Sequence, residues 1–159
     1  AAPTPARHLS RAPHVVVAVD PGDRREGLDE AMRDVLRRAR AAEPELRVTL
    51  VAVLPPQPFG EESAPEIDHG RQTAALVALR HWAHPLGLPA EALRIHVAER
   101  ADAAGALLAY AAAHQADRIV VGARGHSALR RYLGSVSARV VAEAACTVTV
   151  VRPTAVRPD

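Results

Sequence analysis

The chain has 159 residues, 48% hydrophobic and 24% charged, enough for one domain with a single buried core. Its net charge is only +2 and it contains no lysine, which excludes a P-loop or a Schiff-base lysine and argues against a nucleic-acid-binding surface. No apolar run reaches the length of about eighteen residues that spans a membrane, and the first residues lack the apolar centre of a secretory signal, so we expect a cytoplasmic domain without membrane contact.

The two ends of the chain are predicted to be tails. Residues 1–13 are rich in proline and alanine and show no periodic apolar pattern, which indicates a flexible tail or linker. Excision from a longer polypeptide and a processed or trimmed terminus both explain this segment. We therefore predict one domain over residues 14–153, with residues 154–159 as a C-terminal tail.

Strand and helix patterns alternate through this domain. Short runs rich in β-branched residues predict strands over residues 14–20, 46–54, 93–99, 118–122 and 147–151. Periodic apolar residues and breakers predict helices over residues 23–42, 67–84, 103–115 and 135–145, the third capped by Asp102. This alternation predicts an α/β fold, with a mostly parallel sheet and helices on both faces. Ligands bind such sheets beyond the carboxyl ends of the strands.

The segment between the fourth strand and the fourth helix, "GARGHSALRRYLGSVS", is the main functional signal of the sequence. Glycines let a ligand approach the main chain, and the unpaired amides of a helix opening at Gly134 and Ser135 attract anions. Ser137 adds a hydroxyl and Arg124 a positive charge. The residues alone support two interpretations equally: a phosphate site, or tight turns with a helix cap and no ligand.

The pattern G-x-x-G, eight residues and then G-S resembles that of the universal stress protein family. "VVVAVD", "ADRIVVGARG" and "LGSVSARVVAEAACTVTVVRP" extend the resemblance over residues 15–152. It implies a five-stranded sheet in the order 3-2-1-4-5 and frequent dimerisation through the last strand. Because the three glycines and the serine are present, the chain resembles the branch that binds ATP, which we expect together with Mg²⁺. The spacer is one residue shorter than is usual in the family, and this bears on the γ-phosphate contacts.

The resemblance also implies roles for individual residues. Asp20 would hydrogen-bond the ribose hydroxyls, and the alternative is a turn residue before Pro21, a position that aspartate favours. The backbone of Val53 would contact the adenine edge, with plain core packing as the alternative. The other positions would line the adenine pocket (Ala18, Val19 and Val121) or hold the phosphates (Gly122, Gly125, Gly134, Ser135, Val136 and Ser137).

Two functions follow from these observations. The first is an ATP-binding regulatory domain of the universal stress type, either as a separate protein or as a sensor fused to an enzyme or transporter. Slow ATP hydrolysis is the only catalysis that we expect of it. The second is a ligand-free dimerisation module whose glycine loop is structural. In both, the apolar strand at residues 147–151 predicts a homodimer, because that strand would otherwise leave an open sheet edge. No residue pattern predicts catalytic side chains.

Overall fold

The computed structural model describes residues 11–23, 25–56, 65–123 and 134–153, with the backbone alone for residues 65–68. Its five strands are β1 to β5: His14–Ala18, Arg47–Leu54, Leu93–Glu99, Arg118–Gly122 and Thr147–Val151. Its four α-helices are α1 to α4: Glu26–Ala42, Pro65–Ala83, Ala103–Ala113 and Ser135–Glu143. The last three strands have the predicted bounds. None of the helices in these ranges is long and apolar enough to cross a membrane.

The sheet has the order β3-β2-β1-β4-β5, and all four strand pairs are parallel. The predicted fold class and strand order are therefore confirmed. The chain moves outward from β1 through β2 to β3, returns to the other side of β1 as β4, and moves outward again to β5. Because the direction reverses between β1 and β4, the switch point of the sheet lies between these two strands.

Helices cover both faces of the sheet. Successive side chains of a strand point to opposite faces, so Val15 and Val17 pack with α1 and α2, and Val16 packs with α3 and α4. The core between the sheet and helices α1 and α2 contains Leu36 and Trp82, each 1% exposed. The central strand β1 is buried on both sides, which explains its uninterrupted valine run.

The first helix begins later than predicted, at Glu26 rather than at residue 23. The carboxylate Oδ1 of Asp20 accepts a hydrogen bond from the Gly22 N–H at 2.9 Å, and the Asp23 N–H donates to the Asp20 carbonyl at 3.3 Å. This turn follows directly after β1, so the helix can start only beyond it.

The amino end of α3 is capped as predicted. The Asp102 carboxylate accepts a hydrogen bond from the Gly105 N–H at 3.0 Å, which satisfies one of the free donors of the first turn. Asp102 also forms an ion pair with Arg139 of α4. The pair holds the amino end of α3 beside α4, on the face where the site described below lies.

Candidate functional site

A crevice of about 170 Å³ lies at the switch point, beyond the carboxyl ends of β1 and β4. This is the position at which an open parallel sheet leaves space for a ligand. Nine of the predicted site residues line it: Ala18, Val19, Asp20, Val53, Val121, Gly122, Gly134, Val136 and Ser137.

The other three predicted residues do not contribute to this described wall. Ser135 lies in the first turn of α4 but is not part of the crevice lining. Arg124 and Gly125 lie outside the described residues.

The floor of the crevice is apolar. It is formed by strand ends, among them Val51 and Val121, and by Met32 and Leu107 from the helices on either face. These four side chains are 1–3% exposed, so the floor belongs to the core of the domain. An apolar floor with a few polar groups at the rim is typical of sites for small organic ligands.

The backbone N–H and C=O of Val53 point to the β1 side of β2, beyond the point where β1 ends. Val51 is turned towards β1, since its carbonyl accepts a hydrogen bond from the Val19 N–H at 3.0 Å. Leu54 is turned the other way, because its carbonyl accepts from the Arg100 N–H at 3.0 Å just beyond β3. Backbone groups alternate in direction along a strand, so those of Val53 point to the β1 side, above the last paired residue of β1.

The carboxylate of Asp20 stands at the rim, directly after β1. Its Oδ1 takes part in the turn to Gly22, and the residue is exposed. Among the described residues, Oδ2 accepts no hydrogen bond. Asp20 thus has the turn role that the sequence allowed, and one oxygen remains for a ligand.

The two described glycines of the segment, Gly122 and Gly134, do not adopt the left-handed conformation for which glycine is usually required. In the described part of the chain, Gly87 is the glycine with positive φ, whereas Gly122 is in a strand and Gly134 has φ −62°. A Cβ added to Gly122 would lie 2.6 Å from Cδ2 of Leu28. Close packing of α1 on the end of β4 therefore explains this glycine without a ligand, a reason that the sequence analysis did not contain.

The amino end of α4 faces the crevice, and its first amides have no acceptor among the described residues. Gly134 is its N-cap and no side chain caps it, while the first bond of the helix runs from the Ala138 N–H to the Gly134 carbonyl at 2.9 Å. The N–H groups of Ser135, Val136 and Ser137 therefore have no acceptor within the helix. Such a helix end carries partial positive charge and favours anions.

The hydroxyl of Ser137 is already used within the protein. It donates to the Gly122 carbonyl at 2.6 Å, and Ser137 is 4% exposed. Its single proton is thus not available to a phosphate, and only the backbone N–H of Ser137 remains as a donor. The bond joins α4 to the end of β4.

Three charged residues of the rim were missed by the sequence analysis: Asp23, Arg25 and Asp29. Arg25 forms an ion pair with Asp23, from Nη2 to Oδ2 at 3.2 Å and from Nε to Oδ1 at 3.3 Å. Asp29 lies one helical turn further along α1, on the same face as Arg25. The signal in the sequence was the charged run "GDRRE" immediately after the turn that follows β1.

A larger cavity of about 520 Å³ lies at the amino ends of the strands, opposite the crevice. His14, Arg118 and Thr147, the first residues of β1, β4 and β5, line it. Its wall includes the ion pair of Arg11 with Asp117 at 2.9 Å and the carboxyl end of α1 near Glu43. Helix carboxyl ends repel anions. The smaller crevice is therefore the better site for a phosphorylated ligand.

No group of three or more His, Cys, Asp or Glu side chains in the described ranges is arranged to hold a metal ion.

The model of the universal stress protein family matches residues 12–152. Among solved structures, the chain is similar to the universal stress protein UspA from Lactobacillus plantarum, with TM-score 0.68 and 21% identity over 89% of this chain and 99% of that one. It is also similar to the Archaeoglobus fulgidus universal stress protein in complex with dAMP (TM-score 0.60, 20% identity, 89% and 98% covered). An Arabidopsis thaliana universal stress protein family protein with AMP bound gives TM-score 0.64 and 19% identity, with 91% and 94% covered. A comparison with curated proteins gave no match.

Proposed function

The chain belongs to the universal stress protein family, and from this premise we propose that it is a regulatory domain that binds ATP, with Mg²⁺, in the crevice at the switch point. The observation that carries the proposal is the convergence of an apolar floor, the Asp20 carboxylate and the free amides of α4 on one crevice. These three parts match the adenine, ribose and phosphate of a nucleotide. Two similar structures were solved with dAMP and AMP, which supports an adenine nucleotide as the ligand.

The proposed contacts follow the three parts of the crevice. The backbone of Val53 reads the adenine edge, and Oδ2 of Asp20 accepts from the ribose hydroxyls. The phosphates lie against the amides of Ser135, Val136 and Ser137. Arg124 and Gly125 complete the phosphate contacts in this proposal. ATP would stabilise one conformation or dimer geometry in proportion to its preference for that state.

A ligand-free dimerisation module is the second candidate, and specific contacts favour it. Leu28 explains Gly122, and the Ser137 hydroxyl is satisfied by the protein. In addition, β5 pairs with β4 along one edge, and among the described residues nothing pairs with its other edge. Val141 on the neighbouring helix α4 is 46% exposed. We propose a homodimer through β5 under either function.

Thermal unfolding with and without Mg-ATP tests the nucleotide proposal. A ligand at a hundred times its dissociation constant stabilises the native state by about 2.7 kcal/mol. Asp20→Ala should abolish most of this shift, and Asp20→Asn should retain the turn to Gly22 while weakening the ribose contact. Asp34→Ala is the matched control, because Asp34 pairs with Arg38 on the exposed face of α1.

The outcome decides between the two candidates. An unchanged melting curve with ATP, ADP and AMP, together with no nucleotide released from the purified protein, would contradict nucleotide binding and leave the dimerisation module. A shift that Asp20→Ala leaves intact would place the ligand elsewhere on the chain.

A further inference from the structure

The first helix begins at the crevice with a residue that cannot cap it. Asn, Asp, Ser, Thr and Gly are favoured at an N-cap because a short side chain accepts a bond from the free amides of the first turn. Here the N-cap is Arg25, with φ −121° and ψ 106°, and its own side chain makes no capping hydrogen bond. By contrast, α3 is capped by Asp102. The chain thus forgoes a stabilising cap at this position and places a guanidinium there.

The hydrogen bonds of this guanidinium are incomplete. Asp23 accepts a hydrogen bond from Nε at 3.3 Å, and its Oδ2 lies 3.2 Å from Nη2 on the same side of the group. The remaining nitrogen, Nη1, is buried and has no hydrogen-bond partner in the part of the chain that the structure describes. The side chain of Arg25 as a whole is 23% exposed, so water does not freely replace the missing acceptor. Buried donors are rarely left unpaired in this way.

The charges of the crevice add a second argument. Its described wall carries the carboxylates of Asp20, Asp23 and Asp29 and a single cation, Arg25. A phosphate at this wall gains from a contact with that cation, in addition to the partial positive charge at the amino end of α4. A guanidinium is also the side chain whose fork of donors matches phosphate oxygens.

We propose that Arg25 is the specificity-determining residue that makes the crevice select phosphorylated adenosine over the nucleoside. Its Nη1 donates to a non-bridging oxygen of the phosphate, and Asp23 holds the guanidinium in place from the opposite side. The inference rests on the proposed function of the crevice as an adenine-nucleotide site. It adds a residue of α1 to the phosphate contacts and leaves the contacts of adenine and ribose unchanged.

Calorimetric titration of the full chain with AMP and with adenosine tests the proposal. Wild type should bind AMP more tightly than adenosine. Arg25→Gln should weaken AMP by about tenfold or more and leave adenosine within about twofold. Arg25→Lys keeps the positive charge but lacks the paired donors of the guanidinium, so its affinity for AMP should lie between those of wild type and Arg25→Gln. Arg38→Gln is the control, since Arg38 lies on the same helix and its side chain is 80% exposed.

A change in folding is distinguished by one further variant. Arg25→Ser introduces a favoured N-cap and should melt at a temperature at least as high as that of wild type, yet lose the preference for AMP. Arg25 variants that bind AMP as wild type does overturn the inference and leave the proposed function standing. Equal losses for AMP and adenosine also overturn it, because Arg25 would then shape the crevice as a whole. Wild-type protein that binds neither ligand overturns the proposed function and this inference together.

Discussion

Replacing Gly122 with alanine separates the packing role of this glycine from a role in ligand binding. The added Cβ would lie 2.6 Å from Cδ2 of Leu28 and 3.0 Å from its Cδ1. Non-bonded carbon atoms pack at about 3.5–4.0 Å, so the Leu28 side chain must retreat by about 1 Å. Leu28 is half-buried at the wall of the crevice, which gives it some room to move.

The magnitude follows from two opposing effects. Overpacking costs about 1–3 kcal/mol, and the partial freedom of Leu28 favours the lower half of that range. Replacing glycine with alanine recovers about 0.4–1 kcal/mol through the unfolded chain. Gly122→Ala should therefore destabilise the protein by about 1 kcal/mol. In a Leu28→Ala background the obstructing atoms are absent, and the same change should be neutral or slightly stabilising.

Urea unfolding followed by the fluorescence of Trp82, the single tryptophan of the chain, measures all four proteins of this double-mutant cycle. Gly70→Ala is the control. Gly70 lies in α2 with nothing within 4 Å of an added Cβ, so alanine should stabilise the protein by about 0.5–1 kcal/mol there. Nucleotide affinity is measured on Leu28→Ala with and without Gly122→Ala.

A cost for Gly122→Ala that is equal in both backgrounds would refute the packing explanation. A loss of nucleotide affinity in the double variant, with its stability intact, would show that Gly122 is required for ligand binding rather than for packing. Equal affinities with a coupling energy of about 1–2 kcal/mol support the packing role.

Three further predictions concern other parts of the molecule. Burial holds the pKa of His14 below its ordinary value of 6.5, so between the two pKa values the unfolded chain binds a proton that the native state does not. The free energy of unfolding should therefore decrease as the pH drops from 6.5 towards the native pKa, by at most about 1.4 kcal/mol per pH unit. Urea unfolding at several pH values should show a smaller decrease for His14→Gln than for wild type. Val148→Pro should halve the mass in light scattering, because the N–H of Val148 points away from β4 and towards the proposed partner strand; an unchanged mass would count against a β5 dimer. Ser137→Ala should destabilise the protein by about 1 kcal/mol, because the carbonyl of the half-buried Gly122 loses its donor; a change below about 0.5 kcal/mol in urea unfolding would contradict this.

The central strands β1, β2 and β4 were predictable because parallel strands buried on both faces require continuous apolar runs. The bounds of β3, β4 and β5 follow from their runs and from the residues that end them. The start of α1 was not predictable in this way. It depends on the turn closed by Asp20 and Gly22, and charged residues before a helix are compatible with either a turn or a first helical turn.

The part of the site formed by strand ends was predictable for the same reason as the strands. Topology alone brings the carboxyl ends of β1, β2 and β4 to one edge of the sheet. The contribution of α1 depends on how that helix docks across the sheet, and sequence spacing does not fix which face of its first turn meets the crevice. For this reason the sequence did not predict that Arg25 lines the crevice or that Leu28 packs against Gly122.

The structure also divides the glycine segment into two kinds of residue that the sequence could not distinguish. Gly122 and the hydroxyl of Ser137 act within the protein, one by admitting Leu28 and the other by joining α4 to β4. The amides at the start of α4 remain open to a ligand. Because the Ser137 bond fixes where α4 begins, those amides need no rearrangement to meet an anion, and a preorganised donor set loses less entropy on binding. In the proposed nucleotide site, the residues that look structural would support binding by holding these donors in place.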